Sequence, residues 1–424
     1  MMRTALLVLA TLVAPLSTAA GAPAPPALFG APQTIASFAY SSASPTAVAV
    51  DGGGVVHVVW VERRPPQDTG DNSLMYAEHR PGHAWTSPIH LAPADPAASD
   101  PVIATNAAGD LAVAWVSDGI ILRRRPAGGT WRPAENVSSG EAGDTPQVVL
   151  NNDADLVVGW QHVDPPIGPR HALVRVRLDG QPWADAQDLW PTEDAEAMRV
   201  ALDQAGAATA VWIGRQPPHT NSRVLVATLP PGGSWSSAAH LASSIHPNDE
   251  PQLALRGGTT PWVIWRHWVS GHPFLLERHL TSTGWSRAIR LNPRGGVVAG
   301  IRVDSNVAGQ LIVTWAAHRM IRSRLLTTAG HWQALTQVTS QRTTEAALVD
   351  VQLTAAGRAV VLWRQGSAAF AAGFRQATNS WVGLQRLDTI DPSPALAMNA
   401  KGVAAVSWRK FVDPASVRVA LGHG

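Results

Sequence analysis

Eight tryptophans, each closing an apolar run, recur along the chain 45 to 55 residues apart: Trp60, Trp115, Trp160, Trp212, Trp265, Trp315, Trp363 and Trp408. A repeat of this length means stacked or radial units, because one unit cannot bury its own apolar face. Nine residues before each Trp lies a turn-type position, which is Asp or Asn in six units: Asp51, Asn106, Asn151, Asp203, Asn306 and Asn399. Arg256 and Thr354 fill the other two. Six residues before the Trp comes Gly54, Gly109, Gly206, Gly309, Gly357 or Gly402, with Ala154 and Thr259 as exceptions. An Asx side chain bonds its own turn backbone, and Gly supplies the left-handed residue, so this spacing predicts a tight turn between antiparallel strands.

A second series follows the first: Trp85, Trp131, Trp183, Trp235, Trp285, Trp332 and Trp381. Turn formers precede these, as in Gly128-Gly129-Thr130-Trp131 and Gly232-Gly233-Ser234-Trp235. Each unit reads as strand, Asx turn, Trp-ended strand, loop, strand, Gly turn and Trp-started strand. Four antiparallel strands per fifty residues is a propeller blade. Runs such as Leu111-Ala112-Val113-Ala114-Trp115 are apolar on both faces, as sheets packed between neighbours require. The eighth unit stops one strand short. Phe29 to Ile35 repeats the aromatic-to-aliphatic spacing of Trp85 to Leu91, so the N-terminal strand is expected to complete the last blade. The fold class is all-β: an eight-bladed β-propeller of four-stranded antiparallel blades, forming a single domain over 28–424.

Arg3, the apolar run Ala5 to Leu16 and the small residues to Ala22 predict a signal peptide over 1–20, followed by a Pro/Ala-rich tether over 21–27. The apolar run is too short to span a bilayer. The mature protein is therefore expected to be secreted or periplasmic, soluble, off the membrane and a monomer. With no Cys, it has no disulfides, zinc–thiolate sites or thiol nucleophile. No metal-ligand spacing or phosphate loop appears, so neither a metal nor a cofactor is expected. Basic and acidic residues are balanced, at 33 and 31. The longest basic run is Arg123-Arg124-Arg125, so the footprint of a nucleic-acid binder is missing.

The blade grammar, with Gly and Trp at the outer hairpins, resembles secreted bacterial β-propellers of the sialidase-like type over the whole mature chain. That resemblance implies a propeller fold and an extracellular ligand. The catalytic signature does not carry over. The stretch nearest to an Asp box, Gly128 to Trp131, lacks its Ser and Asp, and the only tyrosines are the early Tyr40 and Tyr76. Sialidase activity is disfavoured. The docking motif of eight-bladed quinoprotein dehydrogenases is absent as well.

Alternating strand direction places the loop after each first-series Trp on one face, together with the connections between blades. Candidate ligand-binding residues there are His162, Arg266, His267, Trp268, His272, His318, Arg319, Arg364 and Arg409. Arg and His would hold an anionic group, and Trp268, outside both Trp series, would offer a loop surface for sugar stacking. The recurring acids Asp100, Asp144 and Glu196 read as structural. Asp100, Asp164, Glu250 and Glu345 are the candidate catalytic carboxylates. The expected function is a binding module for a glycan or protein. A polysaccharide-acting glycoside hydrolase or lyase and a structural scaffold are the alternatives, so enzymatic activity stays open.

Overall fold

The computed structural model describes residues 27–38, 45–63, 72–92, 95, 97–164, 168–191, 194–216, 221–243, 247–294, 296–317, 320–339, 346–389, 393–410 and 415–423. The expected signal peptide, most of the tether, and His318, Arg319 and Glu345 lie outside the described residues. Eight antiparallel sheets form a ring, each ordered from the channel outward. Blade one comprises Ala47–Val50, Val56–Arg63, Asn72–His79 and Ile89–Ala92. Blade eight comprises Ala395–Met398, Val403–Lys410, Ala415–His423 and, as its outermost strand, Gln33–Phe38.

The ring thus closes with the N-terminal strand, which pairs antiparallel with the last one. Phe29 occupies the position of a second-series Trp: it bridges Gly422 as Trp85 bridges His79 and Trp332 bridges Leu326. The fit is close enough to require glycine at 422, where a Cβ would come 2.1 Å from the Leu28 carbonyl oxygen. In blades one to six the expected Trp-started strands are shorter than the repeat suggests. Glu135–Asn136 in blade two is typical, a short strand after the Trp, while blade five pairs in two pieces, Gly284–Trp285 and Ile289–Arg290. Blade seven is the exception, with Ser380–Thr389.

Every first-series Trp is at most 1 % exposed. Each packs on the preceding blade. Trp212 joins Val157, Ala172 and Val174 of blade three, while Trp60 joins Val417 and Val419 of blade eight. Burial of about 200 Å² per indole makes this lattice the main apolar glue between blades. Trp262, outside both series, is buried in the blade five–six core, and Trp190 packs at the edge of the blade three–four core.

The Asx turns do more than close hairpins. Asn306 Oδ1 accepts the Gln310 N–H, as expected, but its Nδ2 also donates to the Thr354 carbonyl of the next blade. Asn106, Asn151 and Asn399 reach the turns of the following blades in the same way. Inner strands present open edges to the channel, and side chains of neighbouring blades satisfy them. Gln147 bonds Met198 O and Val200 N, and Asp304 accepts the Leu353 N–H.

Candidate functional site

On the loop face each inner strand from blade two to blade six begins with the same irregularity. The residue fifteen before the Trp has positive φ: Asp100 (47°), Thr145 (48°), Ala197 (52°), Glu250 (50°) and Gly300 (58°). Register slips across each, from Ser99/Val102 to Ala299/Arg302. These are β-bulges that re-aim the strand ends around the mouth. Four of the five hold a non-glycine residue in a conformation that disfavours a Cβ.

Blade five holds the densest cluster. Ser270 and Gly271 both have positive φ, so the chain reverses in a two-residue turn and pairing runs to the tip. Trp268 therefore lies in a strand opposite Pro273, not on a loop as its sequence context suggests. Arg266 forks onto Asp249, with Nε to Oδ1 at 2.5 Å and Nη2 to Oδ2 at 2.8 Å. Its Nη2 also meets Glu250 at 3.0 Å, and Nη1 donates to Val298 O. Burial disfavours its charge, but Asp249 and Glu250 outweigh that and hold it above the ordinary arginine value. The Trp268 indole is half-buried over this group, 5.2 Å from the guanidinium, and its Nε1 donates to Asp249. Buried Asn248 accepts from Trp265 Nε1 and bonds His267 Nδ1. His272 is exposed at the tip.

Blade three brings a different set together. His162 and His171 face each other across the strand pair, with ring centroids 6.1 Å apart. Asp164 lies between them, 3.3 Å from His162 Nε2 and 3.2 Å from His171 Nε2. His171 Nδ1 bonds Asp188 at 2.6 Å. Burial lowers the pKa of His171, but Asp164 and Asp188 more than reverse that and raise it above the usual histidine value. Arg170 stands 3.7 Å from Asp144. Sequence reasoning missed His171 and Asp188, because they lie on strands that read as scaffold.

The other candidates are scattered. Asp100 is exposed, and Arg364 is half-buried between Ala347 and Ala369 in register. Arg409 is 3 % exposed, with its guanidinium 5.4 Å from the Phe38 ring. Glu196 pairs with Arg215 at 2.9 Å, and Glu250 also accepts the Ile301 N–H of the next blade.

Below the bulges, each inner strand carries a position thirteen residues before its Trp. Going round the ring, this position holds Ala47, Val102, Gln147, Arg199, Gln252, Arg302, Asp350 and Ala395. Five successive blades are polar there and three are small and apolar. Arg199 Nη1 donates to Met198 O. Arg302 donates to Ile301 O and Val349 O. Burial, and then the charge of Arg302, push Arg199 below the ordinary arginine value. Deeper still is a cavity of about 550 Å³, lined by Ala104, Ala201, Ala254, Ala397, Asp304 and Gln352 among others. Burial raises Asp304 to about 7 and Asp350 to about 6. No loop-based reading could find these strand residues; aligning the eight inner strands on the Trp would have.

No protein-family model matches the chain, and no curated protein does. Among solved structures, the Dos1 propeller aligns with a TM-score of 0.55 at 8 % identity, covering 93 % of this chain and 96 % of that one. Puromycin hydrolase aligns with a TM-score of 0.51 at 18 % identity over 88 % of this chain. The chain spans only 59 % of that hydrolase's length. A polysaccharide lyase, an ulvan lyase, gives a TM-score of 0.48 at 12 % identity, covering 92 % and 96 % of the two chains. What the first two share with this chain is the fold, an eight-bladed β-propeller here.

Proposed function

We propose that the protein is an exported binding propeller that takes a glycan or a protein segment on its loop face. The observation that carries this reading is how the mouth acids are used. Asp249 and Glu250 are committed to Arg266, and Glu196 to Arg215. A glycoside hydrolase needs two carboxyls set about 5–10 Å apart across its substrate. Acids tied to arginines on their own blades instead build a fixed, polar surface with an aromatic edge, which suits recognition. Rigid aromatic area beside charge-assisted donors is a common anchor for both sugars and proteins. A glycan array probed with the protein lacking residues 1–20 tests it. Binding without turnover, lost in Trp268→Ala, is expected. An array without any bound glycan, together with no captured peptide ligand, overturns it. Export rests on the leader, and N-terminal sequencing of the secreted protein checks it.

A second reading, a polysaccharide lyase or hydrolase, is favoured by the blade-three cluster alone. His171 between two carboxylates, with His162 beside it, is a group able to hold and pass a proton. Release of shortened chains from a polysaccharide, abolished in His171→Gln while binding persists, would establish that reading over the first.

A further inference from the structure

We infer that the inner-strand level of the channel, below the loop face, is a binding site for an oxyanion group held between Arg199 and Arg302. The inference deepens the binding reading by giving the ligand a charge, and rests on that reading only where the anion is carried by a polymer.

Position is the first argument. Both arginines come from the inner-strand column thirteen residues before the Trp, in blades four and six. They stand in blades four and six with Gln252 of blade five between them, near enough for the charge of Arg302 to act on Arg199. The arc of Gln147, Arg199, Gln252, Arg302 and Asp350 belongs to five successive blades, whereas Ala395, Ala47 and Val102 line the other side. A scaffold position would repeat one residue type around the ring, as the tryptophans do.

Charge is the second argument. Arg266 and Arg215 are half-buried too, but each holds a carboxylate within 3.0 Å. Among the described residues, Arg199 and Arg302 bond only backbone carbonyls. A carbonyl accepts a hydrogen bond without neutralising the cation. A partly desolvated guanidinium pair without a carboxylate in contact is costly, and an oxyanion between them would offset that cost. Each guanidinium carries five N–H donors, so one or two carbonyl bonds leave a fork for sulfate or carboxylate oxygens. Asp350 feels the charge of Arg302, but among the described residues no ion pair joins the two.

Room is the third argument. The mouth lies above, and the cavity below is of the size of small-molecule pockets. Five alanines in its wall leave space for the group that carries the anion.

Isothermal titration of the full chain with sodium sulfate, at ionic strength fixed by chloride, tests the site. One sulfate per chain is expected, weakened about tenfold or more in Arg199→Gln and in Arg302→Gln. Arg287→Gln, an exposed arginine in the outer part of blade five, should leave it unchanged. Where one variant fails to fold, the other carries the test through the sulfate-dependent rise in melting temperature, present in the native chain and lost in the variant. A sulfated oligosaccharide binding more tightly than free sulfate, with its unsulfated counterpart silent, assigns the anion to a polymer; equal affinities assign a free anion. Sulfate affinity unmoved by both channel variants, or lowered equally by Arg287→Gln, overturns the inference. Glycan binding that needs Trp268 but ignores both arginines removes this site alone. Sulfate binding that needs the arginines while the array stays empty removes the loop-face reading alone.

Discussion

The two faces of the ring are built from the same eight blades and use them in opposite ways. On the turn face, Asn106, Asn151, Asn306 and Asn399 each close a hairpin and bond the next blade, at 2.8 to 3.3 Å. On the loop face the inner strands of blades two to six share a bulge, but the side chains gathered above it differ among the described residues. Blade five stacks Trp268 over an Arg266–Asp249–Glu250 group, whereas blade three sets two histidines about Asp164. Repetition is therefore spent on cohesion, and departures from the repeat mark places free to serve a ligand. A frame residue should cost stability and not binding when it is changed, and a loop-face residue the reverse.

The largest expected effect comes from the closing strand. A chain lacking residues 27–38 leaves Ala415–His423 as an open edge and removes Phe29 from its buried seat beside Trp408 and Leu362. It should lose cooperative unfolding and self-associate, read by circular dichroism and size exclusion. A monomer that melts within a few degrees of the intact protein would break the claim that ring closure holds the frame. Next comes Trp315→Ala, which empties a fully buried indole site between blades five and six. The expected loss is about 3–5 kcal/mol by urea denaturation, with ligand affinity unchanged in the folded fraction.

Glu277 sharpens the comparison, because it departs from the repeat inside the frame. Its counterpart in blade six, Ser323, accepts the Trp381 indole N–H. Glu277 is 0 % exposed, and burial lifts its carboxyl from 4.5 to about 7. Between those values the native state binds more protons than the unfolded chain. Stability therefore falls as pH rises from about 4.5 to 7, and the loss is complete above 7. Glu277→Gln should be more stable than the native chain by about 2–3 kcal/mol at pH 8 and equal to it near pH 4. A difference that does not change between those pH values would show that Glu277 is neutral, or paired, throughout.

This asymmetry also explains what the sequence reveals. The blade count, the strand order and the closure by Phe29 rest on spacings that recur eight times, so each blade corroborates the others. Arg266, His267, Trp268 and His162 were visible because they follow the Trp, where the repeat breaks off. Their partnerships were not visible. The two-residue turn at Ser270-Gly271 places Trp268 in a paired strand, and the bulge at Glu250 accompanies the meeting of both acids with Arg266. Arg199, Arg302 and His171 were hidden because they sit inside strands whose apolar neighbours make them look like frame.

Asn306→Ala tests the turn face at a smaller scale. It removes the Gln310 N–H acceptor and the donor to Thr354 O, with an expected loss of about 1–3 kcal/mol. Asn306→Asp keeps the turn and loses the bond between blades, so its loss should fall between native and Ala. If both variants cost the same, the turn face owes nothing to its inter-blade bonds.

The smallest effect on stability is expected at the residue with the largest expected effect on binding. Trp268 is half-buried, pairs at the tip of a hairpin, and gives one indole hydrogen bond to a carboxylate that Arg266 already holds. Trp268→Ala should therefore cost less than about 1 kcal/mol, well under the loss at a lattice position such as Trp315. Its melting curve should nearly overlay the native one while glycan or peptide binding disappears. A loss near 3 kcal/mol would place Trp268 with the frame and move the search for the ligand to the histidines of blade three. An unchanged affinity would do the same without touching the frame. Measured side by side, Trp268→Ala and Trp315→Ala decide whether departure from the repeat is a reliable sign of function in this ring.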